Sequence, residues 1–320
     1  MKISPGRIIL LLIAILFGSI LFGLSSGPAN IPFLELFSRV NHQILQVRLA
    51  RIILGIFVGA GLGVSGVALQ AILRNPLSEP YLLGTSSGAG LGAVIAIILG
   101  LSGAYLPFAA FFGALLSIIL VYNLAREGSK IPIQSLILSG VIVAMALSGI
   151  IVFLVSMSTS VLLHGMMWWL LGSLQIYDVK LLFVVGGITI FGVISIFLLS
   201  QDLNAISIGE EEAIHLGIEI EKIKKILFLI TSLITGALVS VSGMIGFVGL
   251  IIPHMMRLVV GPNHKFLIPA TFLGGAAFLV LCDTFSRSLF PPIEIPVGVV
   301  TSLIGAPIFI VLLRRRRKVR

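Results

Sequence analysis

The chain has 320 residues, of which 58% are hydrophobic and 10% are charged. Soluble domains carry about 25% charged residues, so this composition excludes an ordinary soluble globular protein. The formal net charge of +9 comes from basic residues scattered at the ends of apolar segments, a pattern that favours membrane orientation over nucleic-acid binding. Unbroken apolar runs such as residues 8–24 exclude a transmembrane β-barrel, whose strands alternate apolar and polar residues.

Polar segments and Pro/Gly breaks divide the chain into ten predicted transmembrane spans, because about 20 apolar residues cross a bilayer as a helix. The predicted fold is an all-α polytopic membrane protein with a single domain, residues 1–320. The eighth span is short and contains Pro253. The spans are placed near residues 8–25, 48–73, 84–101, 106–124, 133–157, 181–200, 222–242, 245–261, 266–288 and 296–313.

An even number of spans puts both termini on one side of the membrane, which the charge bias predicts to be the cytoplasm. This orientation leaves five of the 21 basic residues outside, namely Arg39, Arg48, Arg51, Lys180 and Arg287. The other 16 lie inside: Lys2, Arg7, Arg74, Arg126, Lys130, Lys222, Lys224, Lys225, Arg257, Lys265, Arg314, Arg315, Arg316, Arg317, Lys318 and Arg320.

Glycines recur at intervals of four residues in the second and third predicted spans. Small residues at this spacing share one helix face and allow two membrane helices to approach closely. We therefore expect both spans to be surrounded by other helices. The residues are Gly55, Gly59 and Gly63 in the second span, and Gly84, Gly88 and Gly92 in the third.

The longest polar stretch, residues 201–225, is predicted to lie on the cytoplasmic side and to contain two short helices. The first helix is predicted to end at Gly209 and the second at Gly217, a residue that suits a helix C-terminus. Three glutamates, residues 210–212, begin the second helix, where negative charge complements the helix dipole. The stretch is either a solvated loop or a docking element for a cytoplasmic partner, and composition alone favours neither.

Three arginines are predicted at the outer ends of spans. Arg48 and Arg51 lie three residues apart, on one helical face, and Arg287 lies near the end of the ninth span. Without further information these side chains are explained by snorkelling to the lipid surface. The alternative is an exposed cationic rim that receives carboxylates of a partner or an anionic solute.

An outer segment, residues 156–180, is rich in aromatic and sulfur side chains. An interfacial aromatic belt is the default explanation, and a lid or vestibule helix is the alternative. The residues concerned are Met166, Met167, Trp168, Trp169 and Tyr177.

Neither a metal site nor a nucleotide site is predicted from the motifs. The five histidines lie in separate segments without metal-ligand spacing, no Walker A motif is present, and no cofactor is expected. Asp283, placed near the middle of the ninth span, is the intramembrane carboxylate that stands out, with Arg287 four residues on as a helical partner. This carboxylate keeps open the alternative of a proton-coupled secondary transporter that acts without an ATPase.

Four blocks of sequence resemble the permease subunits of ABC importers for vitamin B12, iron-siderophores and haem (the FecCD-type, type II importers). The block Arg48-Leu49-Ala50-Arg51 resembles the RLPR motif of the family, with Ala50 in place of the usual proline. The longest signature spans residues 66–70, 74–80 and 83–89, including Arg74-Asn75-Pro76-Leu77-Ser78-Glu79-Pro80. Residues 246–254 with Arg257, and residues 296–301 with 305–309, resemble the remaining two blocks.

The resemblance implies a multi-pass permease of a bacterial or archaeal cytoplasmic membrane, which is not itself an enzyme. Its partners would be a second permease subunit, identical or homologous, two cytoplasmic ATPases, an extracytoplasmic binding protein and the lipid bilayer, without nucleic acid. By position, Arg48, Arg51 and Arg287 correspond to arginines that dock the binding protein, and Asn75 and Leu77 to the cytoplasmic gate. The residues corresponding to the ATPase-coupling helices are Leu203, Asn204, Ile206, Gly209, Glu210, Glu211, Ala213, Leu216 and Gly217, within a segment of about residues 201–221.

The implied mechanism is alternating access. ATP binding closes the ATPase pair, the coupling helices transmit the motion, and the pathway between two permease subunits switches its open side. The chelate carried would be an iron-siderophore, haem or a cobalamin-type compound. On this interpretation the chain supplies no chemistry of its own.

Overall fold

The computed structural model describes residues 4–29, 31–128, 130–175 and 178–317. Lys2, Lys318 and Arg320, assigned to the inner side, and Tyr177 of the aromatic segment lie outside these ranges. The described part contains thirteen α-helices: α1 Pro5–Ser25, α2 His42–Ile72, α3 Thr85–Ile98, α4 Tyr105–Ala125, α5 Ile133–Ser156, α6 Ser160–Leu170, α7 Val179–Leu198, α8 Ser200–Ile208, α9 Glu210–His215, α10 Ile220–Ser242, α11 Val248–Val260, α12 His264–Ser288 and α13 Val297–Arg317. Short 3-10 helices form at Glu35–Phe37 and Pro80–Leu83.

Each of the ten predicted spans falls on one of these helices. Seven helices, α1, α2, α4, α5, α7, α10 and α12, are long and apolar enough to cross a membrane. The other three predicted spans fall on α3, α11 and α13, whose apolar parts are shorter. The prediction of an all-α polytopic membrane protein is therefore confirmed, and of the three spans on shorter apolar helices the eighth was predicted to be short.

Helix α2 forms the centre of the bundle. It packs against α7, α10, α11 and α12, and 83% of its most apolar window is buried, whereas α5 has only 22% buried. The sequence of α2 explains why this helix can lie at the centre of the bundle. It has glycines at positions where larger side chains would hold the neighbouring helices apart. The outward faces of α4 and α5 present large apolar side chains, as surfaces in contact with lipid or another membrane subunit do.

The predicted glycine faces are the tight contacts of the bundle. On α2, the face with Gly59 lies against α12, and a Cβ built at Gly59 would clash with the carbonyl oxygen of Gly275. On α3, a Cβ at Gly88 would clash with the carbonyl oxygen of Gly113 in α4. The contacts are reciprocal, because a Cβ at Gly275 or Gly113 would meet the carbonyl of its partner glycine. The expectation that both spans are enclosed by helices is confirmed.

The antiparallel pair α2–α12 defines two faces of the bundle. The arginine face is the one that carries Arg48, Arg51 and Arg287, near the start of α2 and the end of α12. The α8–α9 face is the opposite one, because Asn204 of α8 accepts a hydrogen bond from the backbone N–H of His264, the first residue of α12 (2.9 Å).

Candidate functional site

The arginine face holds a buried ionic cluster with Arg51 at its centre. Arg51 Nη2 lies 2.8 Å from Asp283 Oδ1, and Arg51 Nη1 lies 2.9 Å from Glu294 Oε2. Gln175 Nε2 donates to the same Glu294 oxygen at 2.9 Å. One guanidinium therefore joins α2 to α12 and to the segment before α13, using the fork of donors that an arginine presents.

Arg287 adds a second cation to Asp283. Its Nε lies 3.2 Å from Asp283 Oδ2, four residues earlier on α12, as the sequence predicted. Its Nη1 donates to the carbonyl of Ser26 at 2.6 Å, and its Nη2 donates to the carbonyl of Gly23. Arg287 therefore anchors the end of α1 to the end of α12.

Arg48 binds only backbone carbonyls among its described contacts. Its Nη1 donates to Leu24 O at 2.5 Å, and its Nη2 donates to Ala29 O at 2.8 Å. With three arginines and two carboxylates, the cluster has a formal net charge of +1. Because neutral carbonyls bind Arg48, the excess positive charge is partly solvated by the chain itself.

The expectation of an exposed cationic rim is wrong in one respect. Arg48, Arg51 and Arg287 are 3%, 5% and 2% exposed, so the chain itself covers them. Their position at helix ends could be predicted, but sequence does not show that the carbonyls of residues 23–29 and two carboxylates fold over them. Asp283 was placed near the middle of its span, but it lies five residues before the end of α12, and it contacts Arg51 in addition to the predicted partner Arg287.

The coupling segment contains the two predicted helices, and glycine ends both. Helix α8 ends before Gly209, and α9 is followed by Leu216 and by Gly217, whose φ of 79° lies in the left-handed region. Leu203, Ile206 and Ala213 are fully buried against the rest of the chain, so these three side chains hold the segment in place.

The opposite side of the coupling segment is apolar and exposed. Ile208, Ile214 and Leu216 are 70%, 62% and 69% exposed. They lie beside the exposed acidic residues Glu211 and Glu212. Three large aliphatic side chains are therefore exposed on one short polar connector. Ile208 and Ile214 lie within the predicted coupling segment, although they were not among the nine residues named for the coupling helices.

Asn204 and Glu210 serve mainly internal contacts. The side-chain oxygen of Asn204 lies 2.8 Å from His264 Nδ1, in addition to the bond from the His264 N–H. Glu210 Oε1 lies 2.8 Å from Nζ of the buried Lys224, which also approaches Glu221 at 3.3 Å. Both residues were predicted to couple an ATPase, and the geometry shows how they connect α8 to α12 and α9 to α10.

The predicted gate residues lie in a tight turn after α2. Asn75 Oδ1 accepts a hydrogen bond from the N–H of Leu77 at 2.9 Å, and Leu77 is 47% exposed. Arg74, just before, has a φ of 46°, which a non-glycine residue adopts at a steric cost. Leu77 therefore projects from a turn whose shape is fixed by the side chain of Asn75.

A cavity of about 550 Å³ opens beside the ionic cluster. Helix α6, which the sequence left as a less favoured alternative to an aromatic belt, contributes Trp168 and Trp169 to its wall. Gln175 lines the cavity and also binds Glu294, so the cavity adjoins the arginine cluster. Ser242 and Gly243, at the end of α10, form another part of its wall.

Several residues of these sites were missed from the sequence. Glu294 and Gln175 complete the ionic cluster, and neither stands in a recognisable motif. Glu79 was named only as part of the longest signature of the resemblance, yet its Oε1 accepts a hydrogen bond from Phe247 N–H at 2.9 Å. Within the described residues, no group of three or more His, Cys, Asp or Glu side chains lies together in a way that could hold a metal ion.

The sequence of this chain is similar to those of known transport permeases. The FecCD transport family matches residues 9–315. The cobalamin import permease BtuC of Halobacterium salinarum is 42% identical over 84% of this chain and 73% of its own length. The hemin transport permease HmuU of Yersinia pestis is 34% identical over 100% of this chain and 97% of its own.

A solved structure agrees with these relatives. The chain of a metal-chelate type ABC transporter in an inward-facing conformation has a TM-score of 0.87 and 34% identity, covering 97% of this chain and 99% of that one. Family and fold therefore coincide over nearly the whole length. The chain belongs to the FecCD family of ABC importer permeases.

Proposed function

We propose that this chain is the membrane permease of an importer for an iron-siderophore, haem or cobalamin-type chelate. It moves the chelate across the cytoplasmic membrane by ATP-driven alternating access. The support is the family membership together with relatives named for cobalamin, hemin and metal-chelate transport. The chain acts as one permease domain, and ATP hydrolysis belongs to a partner.

The observation that carries the proposal is the exposed apolar surface of α8 and α9. In the orientation that the charge bias predicts, this face lies in the cytoplasm. Ile208, Ile214 and Leu216 would then be solvated by water, which is unfavourable for large aliphatic side chains unless a partner covers them. Two cytoplasmic ATPases, one on each permease subunit, would bury this surface.

The arginine face is proposed to dock the extracytoplasmic binding protein. Arg48, Arg51 and Arg287 give the cluster its excess positive charge, which attracts carboxylates of a partner. Because these guanidinium groups already bind Asp283, Glu294 and backbone carbonyls, docking requires an exchange of intramolecular contacts for intermolecular ones. Burial thus makes docking a conformational event as well as an electrostatic one.

A second permease subunit, identical or homologous, is proposed to pack on the exposed apolar helices. Helix α5 and the apolar part of α13 present side chains such as Val152 and Leu303, which are 66% and 69% exposed. The substrate pathway would then lie between two subunits, with Asn75 and Leu77 at its cytoplasmic end. The exposed side chain of Leu77 can narrow the pathway there.

The test is cysteine crosslinking to the partner ATPase. Single cysteines at Ile208, Ile214 and Leu216 should crosslink to the ATPase, with yields that change between nucleotide-free and ATP-bound complexes. A cysteine at Ile190, which is 45% exposed on the membrane span α7, is the matched control and should not crosslink. The native Cys282 is buried and gives a low background. Absence of crosslinks at all three positions, or equal yield at Ile190, contradicts the proposal.

The second candidate is a proton-coupled secondary transporter that acts without an ATPase. Its motivating residue, Asp283, is ion-paired with Arg51 and Arg287, so it is not the isolated intramembrane carboxylate that this candidate would use. The permease alone in proteoliposomes should accumulate no chelate under an imposed pH gradient. Accumulation without ATPase or ATP would establish this candidate instead.

A further inference from the structure

The segment after α2 turns back into the bundle instead of staying at its surface. Pro80 packs on Gly249 of α11, where a built Cβ would lie 2.5 Å from Pro80 Cδ and 2.9 Å from the carbonyl oxygen of Leu62. Leu62 lies ten residues before the end of α2, which corresponds to about 15 Å at 1.5 Å per residue. Residues 75–84, here called the re-entrant segment, therefore reach far into the membrane domain.

A second irregular piece of chain meets the re-entrant segment there. Residues 243–247, here called the strap, connect the end of α10 to the start of α11 without helical structure. The Tyr81 hydroxyl donates to the carbonyl of Ile245 and accepts from the N–H of the same residue, both at 3.1 Å. Glu79 accepts from the N–H of Phe247 at 2.9 Å. Backbone groups inside a membrane must be paired, and these side chains pair those of the strap.

The acceptor oxygen of Glu79 binds at the start of helix α11. Phe247 is the N-cap of α11, a 13-residue helix whose first N–H groups have no intrahelical partners. The φ angle of Phe247, 69°, is strained for an aromatic residue. Arg74, at the start of the turn that carries Asn75, is the other non-glycine residue with positive φ in the described ranges. Such strain recurs at segments that switch between conformations.

We propose that Glu79 is a positioning residue that latches the re-entrant segment to α11. The turn of Asn75 and Leu77, here called the gate turn, then moves together with α11 as one unit. The hydrogen bond to Phe247 N–H forms the latch, and Tyr81 strengthens it through Ile245. The inference rests on the proposed function, because it assigns to this segment a role in opening the cytoplasmic gate.

The latch also connects the gate to the cavity on the arginine face. The strap begins at Gly243, which lines that cavity, and ends at Phe247, which Glu79 holds. The carbonyl of Ser242, just before the strap, accepts from the N–H of Ser173 at 2.8 Å, next to the segment that follows α6. A displacement of the cavity wall therefore reaches the turn of Asn75 and Leu77 through the five non-helical residues of the strap.

The experiment separates the reach of the side chain from its chemical group at residue 79. Glu79→Gln keeps an acceptor oxygen at the same reach but replaces the carboxyl group by an amide, whereas Glu79→Asp keeps the carboxyl group and shortens the side chain by one methylene. Glu79→Ala removes both, and Glu127→Ala, at an exposed glutamate before α5, is the control. All variants are made in the full complex with its ATPase and binding protein.

Two readouts are measured on each variant. The first is ATP-driven uptake of the chelate. The second is labelling of a cysteine at Leu77 by a membrane-impermeant thiol reagent, compared between nucleotide-free and ATP-bound complexes. We expect Glu79→Gln and Glu127→Ala to match the parent in both readouts. Glu79→Asp and Glu79→Ala should reduce uptake by about tenfold, the loss expected for one buried hydrogen bond, and abolish the nucleotide dependence of labelling.

Three outcomes decide the matter. Equal loss in Glu79→Gln and Glu79→Asp, or full activity in Glu79→Asp, overturns the latch. If Glu79→Ala does not assemble, the Gln and Asp variants decide alone, because each keeps a polar side chain at the site. If the parent complex itself shows no ATP-driven uptake and no nucleotide-dependent labelling at Leu77→Cys, the proposed function fails and the latch fails with it.

Discussion

The contact between α2 and α12 has no room for one additional carbon atom at Gly59. A Cβ there would overlap the carbonyl oxygen of Gly275 and lie 3.0 Å from Cβ of Leu279. Because the obstacle is backbone, Gly59→Ala must move two helices apart. Overpacking of this kind costs about 1–3 kcal/mol, whereas Ala in place of Gly favours a helix by about 1 kcal/mol. Since the obstacle is a backbone atom, we take the upper end of the overpacking range, about 3 kcal/mol, and expect a net loss of about 2 kcal/mol, a factor of about 30 in the folded population.

The assay is reversible unfolding of the purified permease in mixed micelles with increasing SDS, followed by helical circular dichroism. Gly18→Ala is the matched control, because Gly18 lies on the exposed side of α1 and a Cβ there meets no heavy atom within 4 Å. The control should unfold at the same or higher SDS than the parent, and Gly59→Ala at lower SDS. Equal midpoints for the two variants would refute the argument that backbone contact at Gly59 stabilises the bundle.

Three further substitutions test individual contacts. Asp283→Asn leaves two buried arginines without their shared carboxylate, so stability in the same assay should fall by about 3–5 kcal/mol; an unchanged midpoint would contradict the ion-pair geometry. Arg48→Gln removes a charge without breaking the ion pairs of Asp283 and Glu294, and should weaken binding-protein docking about tenfold at low salt, measured by surface plasmon resonance. Asn204→Ala separates α8 from His264 and should lower the stimulation of ATPase activity by the binding protein while the complex still assembles; undiminished stimulation would exclude this role.

Regular features of the fold could be predicted because they follow from local chemistry. Apolar length placed each of the ten predicted spans on a helix, and the spacing of Gly55, Gly59 and Gly63 identified the face of α2 that packs closely. Gly209 and Gly217 correctly marked the ends of α8 and α9. These patterns did not predict which helix packs on the glycine face of α2, because nothing in the sequence of α2 specifies α12.

The candidate sites depended more on contacts between distant residues. Arg51 meets Asp283 and Glu294, which follow it by 232 and 243 residues, so its burial was not visible from the neighbouring sequence. Glu79 was overlooked for a related reason. A short proline-containing polar turn normally lies at the membrane surface, and only the close approach of Pro80 to Gly249 shows that this one turns inward.

Helix α12 is long enough to connect the two faces of the bundle. Its 25 residues span about 38 Å at 1.5 Å per residue. Asn204 holds one end and the ionic cluster holds the other, while Gly275, eleven residues from the first end and thirteen from the second, presses on Gly59. If a rigid helix tilts about a contact near its middle, its two ends move in opposite directions by similar amounts. Any tilt of α12 about this glycine contact therefore draws one face of the bundle together as it spreads the other.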